Sequence, residues 1–176
     1  IRDGLEVALV GSPNVGKSSL LNYILGESRA IVTEIPGTTR DFVEGRLSVG
    51  GHAVSFIDTA GLRETLDVVE KHGIEKTNEI LNRADLVFYV FDSSEPFTRE
   101  CLNVLTPEVL KKTVLILNKI DVARPEFQQP AFLEELMQTP CIQTSALKKT
   151  GREELLRKVE SVLADNLFED STIVMN

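Results

Sequence analysis

The chain has 176 residues, 42% of them hydrophobic, enough for one domain with a real core and too few for two. Nineteen Lys and Arg against 27 Asp and Glu leave a net charge of −8, which argues against a broad cationic grip on nucleic acid by this chain alone. The longest apolar stretch, residues 86–91, is far short of the roughly 20 residues of a membrane span, and no charged-then-apolar export pattern opens the chain, so a soluble chain in the cytoplasm with no membrane partner is expected.

Residues 5–10 form a short β-branched run that stops at Gly11, and residues 17–25 carry helical apolar spacing through Leu20, Leu21, Ile24 and Leu25, which predicts a strand, a glycine loop and a helix. Residues 42–49 and 53–57 alternate and are joined by Gly50-Gly51, the signature of an antiparallel hairpin. The runs 86–91, 114–117 and 141–143 then alternate with helix-like stretches near 74–82, 130–137 and 153–163, which predicts a mostly parallel sheet covered on both faces. Residues 166–176 have weak periodicity and read as a tail. Cys101 and Cys141 lack the close spacing of a zinc site and read as buried or half-buried hydrophobes.

Gly11-Ser12-Pro13-Asn14-Val15-Gly16-Lys17-Ser18 matches the G-x-x-x-x-G-K-[ST] phosphate loop, and its place after a buried strand and before a helix gives the match meaning. Its backbone N–H groups and the helix's positive end would face an anion; Lys17 would reach the β- and γ-phosphates and the Ser18 hydroxyl would ligate Mg²⁺. Asn118-Lys119-Ile120-Asp121 follows the 114–117 run, at the strand end where open α/β sheets bind ligands. Asp121 can accept hydrogens from both N1 and the 2-amino group of guanine; adenine offers neither. Ser145-Ala146-Leu147 is positioned to give a backbone N–H to the guanine carbonyl. Asp58-Thr59-Ala60-Gly61 ends the 53–57 strand, which sets Asp58 beside Mg²⁺ as an outer-sphere partner and the Gly61 N–H near the γ-phosphate. Pro36-Gly37-Thr38-Thr39-Arg40-Asp41 suits a segment that closes over the nucleotide and offers a Thr hydroxyl to Mg²⁺.

Together these motifs resemble those of the translation-factor-related, Ras-like P-loop GTPases over residues 5 to about 163. Within that class, Gly37-Thr38-Thr39-Arg40-Asp41 and the run from Asp58 through Leu62-Arg63-Glu64-Thr65, then Asp67, Glu70 and Gly73-Ile74-Glu75-Lys76, are similar to the G domain of the MnmE family of tRNA-modification GTPases. The resemblance implies an α/β fold with a mostly parallel six-stranded sheet, one antiparallel strand and helices on both faces. It implies a G domain over residues 1–165 and a tail, 166–176, leading to a helical domain absent from this sequence. It further implies a nucleotide bound by Asn14 to Ser19 (Asn14, Val15, Gly16, Lys17, Ser18, Ser19), by Thr33, Glu34, Ile35, Pro36, Gly37, Thr38 and Thr39, and by the motifs around Asp58, Asp121 and Ser145.

Ras-like enzymes orient the attacking water with a Gln after the Asp-x-x-Gly motif; here that position is Leu62, and Glu64 and Glu70 are the visible replacements. The resemblance implies Glu70, acting through a bridging water, with Lys17 as the other catalytic residue. Charge between the β- and γ-phosphates could be met by Arg40, by Arg63, or by a monovalent cation near Asn14. The resemblance implies K⁺ held by Asn14, Thr33, Ile35 and Thr38, with Thr39 on Mg²⁺ beside Ser18. It also implies K⁺-promoted pairing of two G domains across 33–41 and 62–70, and joint action with the flavin-dependent MnmG on the wobble uridine of tRNAs gripped by other domains or by that partner. The rival readings are a ribosome-assembly GTPase resembling Era or Der, and a GTP-dependent interaction module with negligible hydrolysis.

Overall fold

A computed structural model describes residues 4–26, 43–59, 70–103, 105–127, 138 and 141–173. The apolar runs become strands: β1 Leu5–Val10, β2 Val43–Val49, β3 His52–Asp58, β4 Leu86–Asp92, β5 Thr113–Asn118 and β6 Ile142–Gln143. They lie in one six-stranded sheet of order β2-β3-β1-β4-β5-β6. Only the β2–β3 pair is antiparallel among the pairings described. Its turn needs left-handed backbone at two successive residues, and Gly50 and Gly51 supply φ of 57° and 82°.

The helices are α1 Lys17–Leu25, α2 Glu70–Arg83, the single turn α3 Pro107–Leu110, and α4 Arg152–Ile173. Because side chains alternate across a strand, each buried strand feeds two cores. On one face Val7, Leu9, Phe56, Phe88 and Ile116 pack with Leu20 and Ile24 of α1 and with Leu155 and Val159 of α4. On the other, Ala8, Ile57, Val87, Tyr89 and Leu115 pack with Ile80 and Leu81 of α2 and with Val109 of α3. The chain leaves β1 toward β3 on one side and reaches β4 on the other, so the direction of strand order reverses at β1. That reversal opens a crevice at the carboxyl ends of β1 and β4.

Two helix bounds differ from the sequence expectation. Helix α2 starts at Glu70, ahead of the expected 74–82 stretch, because a helix satisfies its own backbone before apolar spacing becomes visible. Helix α4 runs to Ile173, past the expected 153–163 stretch. Among the side chains described in it, Leu163 is the last in the core, and Ala164, Asp165, Asn166, Leu167 and Glu169 are exposed. The helix expected near 130–137 lies outside the described residues. Both cysteines are free and half-buried. Among the described residues no helix is long and apolar enough to cross a membrane.

Leu155 is fully buried where α4 meets the sheet. Leu155→Ala should lower unfolding free energy by about 2–5 kcal/mol, read as a shift in the urea midpoint at unchanged slope.

Candidate functional site

The loop that follows β1 has its shape set by two left-handed residues, Asn14 at φ 65° and Gly16 at φ 94°. Asn tolerates that region because its short polar side chain bonds locally. At Gly16 space also forbids a side chain, since a Cβ there would lie 2.6 Å from Asn118 Nδ2. Gly16 is the N-cap of α1 and provides no side-chain cap, which leaves first-turn N–H groups for an anion. Lys17 is 5% exposed, and its Nζ donates to the carbonyls of Gly11 at 2.9 Å and Ser12 at 2.8 Å. Ser18 and Ser19 are exposed beside it.

Leu9 of β1 pairs with Asp58 at the end of β3, which brings Asp58 to the loop. Ser18 Oγ donates to Asp58 Oδ2 at 2.6 Å. Thr59 is fixed by its amide and hydroxyl, which both donate to Leu9 O at 3.2 and 2.9 Å. A hydroxyl next to one carboxylate fits Mg²⁺, a hard cation that keeps waters and takes phosphate oxygens as ligands. No group of three or more His, Cys, Asp or Glu side chains that could hold a metal ion occurs among the described residues, so those residues offer no all-carboxylate cage.

The base side of the site begins at the end of β5. Asn118 is 1% exposed; its Nδ2 donates to Val15 O at 2.9 Å and its Oδ1 accepts from Thr144 Oγ1 at 3.0 Å. Its amide thus stitches the phosphate loop to the base loop. Lys119 has φ 61°, and its Nζ donates to Asn14 O at 2.8 Å and Asp92 Oδ2 at 2.6 Å. Asp121 is exposed, and its Oδ1 accepts from Ser145 Oγ, which in turn accepts from the Lys148 amide. The Ser145 amide donates to Thr150 O at 3.2 Å. Ala146 is half-buried and Leu147 is 77% exposed.

Asp92, Ser93 and Thr144 are site residues that the motifs did not reveal. Ser93 Oγ donates to Lys119 O at 2.8 Å. The signal for Asp92 was a carboxylate that ends an otherwise apolar strand at the ligand edge of the sheet. Burial pushes its carboxyl up, but hydrogen bonds from Lys119 and Ser94 outweigh this and hold it below its ordinary value. Thr33, Glu34, Ile35, Pro36, Gly37, Thr38, Thr39, Arg40, Ala60, Gly61, Leu62, Arg63 and Glu64 lie outside the described residues. Glu70 opens α2, and its side chain is also outside them.

Residues 6–119 match the family described as 50S ribosome-binding GTPase. Curated relatives named tRNA modification GTPase MnmE are 45% identical over 99% of this chain in Clostridioides difficile and 42% identical over all of it in Aquifex aeolicus. The chain spans 38% of the length of each of these relatives. Among solved structures, the G domain of the T. maritima FeoB iron transporter is 31% identical, with a TM-score of 0.68 over 90% of this chain and 98% of that one. Aquifex aeolicus Era bound to GDP and aluminium fluoride is 31% identical, with a TM-score of 0.66 over 88% of this chain and 55% of that one.

The depressed Asp92 carboxyl has a consequence for stability. A group whose folded pKa lies below its unfolded value of about 3.8 stabilises the fold above that pH and loses its contribution as pH falls through the folded pKa. Urea midpoints taken from pH 7 to pH 3 should therefore fall more steeply for the wild-type chain than for Asp92→Asn.

Proposed function

We propose, from the premise that this chain belongs to the family of 50S ribosome-binding GTPases and hydrolyses GTP, that it is the G domain of a cytoplasmic tRNA-modifying enzyme whose hydrolysis depends on K⁺ and on pairing with a second copy. The identity of 41–45% to MnmE relatives over nearly the whole chain supports the tRNA-modification setting. In that setting residues 1–165 are the G domain, 166–176 lead toward a helical domain, MnmG is the flavoprotein partner, and other domains or MnmG hold the tRNA.

The observation that carries the GTP reading is the exposed Asp121 carboxylate, aligned by Ser145 while Asn118 and Lys119 tie its loop to the phosphate loop. A carboxylate offers about four lone-pair sites, so the Ser145 bond leaves room for the N1 and 2-amino hydrogens of guanine. Ala146 or Leu147 gives an amide to the guanine carbonyl. The α1 N-terminus and the amides of Asn14 to Ser19 receive the phosphates, and Lys17, poised on two carbonyls, turns its ammonium to the β- and γ-oxygens.

Ser18 and Thr39 would hold Mg²⁺ with Asp58 behind them. Asn14, Thr33, Ile35 and Thr38 would hold K⁺. Bound cations supply positive charge for the phosphate oxygens as the β–γ bond breaks. Thr33 to Thr39, with Glu34, Pro36 and Gly37 among them, close over the nucleotide, and Ala60 and Gly61 bring an N–H to the γ-phosphate. Glu70 orients the attacking water through a second water, since a carboxylate set directly against a triphosphate would be repelled. At the head of α2 it is carried by the element that follows the Asp58 motif. The matching family's description and the Era likeness favour ribosome assembly as the second reading.

GTP turnover should be at least about tenfold faster in K⁺ than in Na⁺, and Glu70→Ala should lower kcat by about 100-fold or more with GTP affinity retained. Equal rates in the two salts, or full activity without Glu70, would remove the K⁺ and Glu70 assignments and leave nucleotide binding standing. For the base pocket, Asp121→Asn exchanges an acceptor pair for a donor and an acceptor. GTP should bind about 100-fold more weakly to it while xanthosine triphosphate gains, as measured by competition titration.

A further inference from the structure

Asp92 ends β4 between the two loops of the site and touches the lysine that joins them. Its Oδ1 accepts from the Ser94 amide at 2.8 Å and the Ser94 hydroxyl at 2.6 Å, which fixes the carboxylate plane. Its Oδ2 faces Lys119 Nζ at 2.6 Å, with side-chain exposures of 10% for Asp92 and 37% for Lys119. The same ammonium donates to Asn14 O. Asn14 and Lys119 are both left-handed non-glycine residues, so this one ammonium joins two strained bends of the site. The Lys119 carbonyl is separately held by Ser93 Oγ, and the next amide, of Ile120, donates to Thr144 O.

A nucleotide must meet the phosphate loop and Asp121 together, so its affinity depends on how well their separation is set before binding. A solvated lysine would be a poor tether, since four flexible carbons carry its charge. A largely buried carboxylate beside it removes much of that freedom and neutralises the charge. Asp92 does this from the side of the phosphate loop: it lines a cavity of about 400 Å³ together with Asn14, Val15, Phe97, Cys101 and Lys119, whereas Lys17, Ser18, Asp58 and Asp121 are not in that wall. The hydrogen bonds of the carboxylate go to Ser94 and Lys119, so its removal acts on the phosphate loop through the Lys119 ammonium.

We infer that Asp92 is a positioning residue for the nucleotide: its carboxylate fixes the Lys119 ammonium, Lys119 holds the Asn14 carbonyl, and the phosphate and base halves of the site keep one separation. This rests on the GTP reading above, and the two fail differently. If the wild-type chain takes up no guanine nucleotide, that reading falls; if it binds normally and Asp92 proves indifferent, only this inference falls.

The test is the release rate of a fluorescent GDP, chased by excess GDP in saturating Mg²⁺, for the wild-type chain, Asp92→Asn, Lys119→Met and the double variant. Asp92→Asn should release GDP about tenfold faster, the scale expected when a charge-assisted bond is replaced by a neutral one. Lys119→Met should release it at least as fast, and the double variant no faster than Lys119→Met, since both act through one ammonium. Magnesium pyrophosphate, which needs only the phosphate half, should bind Asp92→Asn within about twofold of wild type by calorimetry. A release rate unchanged in Asp92→Asn, an acceleration that persists in full on the Lys119→Met background, an equal loss of pyrophosphate binding, or failure of Asp92→Asn to fold would each overturn the inference, the last two because the carboxylate would then support the fold at large.

Discussion

The site depends on a contact between two loops that lie 103 and 105 residues apart in the chain, the separations between Asn118 and Val15 and between Lys119 and Asn14. Each is made by a side chain at the end of β5 reaching a backbone carbonyl of the loop after β1. Neither loop is a regular element, so its carbonyls have no ladder partner and must be satisfied some other way. Using base-loop side chains for this purpose makes the shape of the phosphate loop and the position of Asp121 two aspects of one arrangement. Gly16 belongs to the same constraint, because the space a Cβ would occupy is filled by the Asn118 amide.

A chain of net charge −8 that binds a polyanion concentrates its positive potential. Lys17 is buried on two carbonyls, the α1 N-terminus has no side-chain cap, and the loop amides add partial charges directed at one spot. Such local sources act over a few ångströms in a poorly solvated site, whereas surface carboxylates are screened within about 10 Å at ordinary salt. Net charge therefore sets what the rest of the surface avoids, and the loop sets what the crevice takes.

Helix α2 lies between β3 and β4 in the chain and packs on the second core. Its carboxyl end is fixed: Arg83 pairs with Glu6 at 2.8 Å, the Asp85 carboxylate takes the Glu6 amide, and Lys112 donates to the carbonyls of Asn82 and Ala84. The last is a lysine at the negative end of a helix, where cations are favoured. Ile80 and Leu81 add to that hold, both buried in the second core.

Apolar period and glycine placement were enough to locate β1, α1, the Gly50-Gly51 hairpin and the alternation of strands and helices, because these depend on nearest neighbours and on which face must be dry. The phosphate loop and Asp121 were legible for the same reason, as their chemistry is carried by residue type at short spacing. The roles of Asp92, Ser93 and Thr144 were not legible, since an acid or a hydroxyl at a strand end has no meaning until the neighbouring strand is known. It was the β4–β5 pairing, Asp92 opposite Asn118, that set the carboxylate beside Lys119. The length of α4 was likewise hidden, because helical backbone bonds continue past Leu163 through residues whose sequence carries little apolar period. Local chemistry thus specified what the crevice can bind, whereas the separation of its two halves is a property of the folded sheet, fixed by side chains that meet only there.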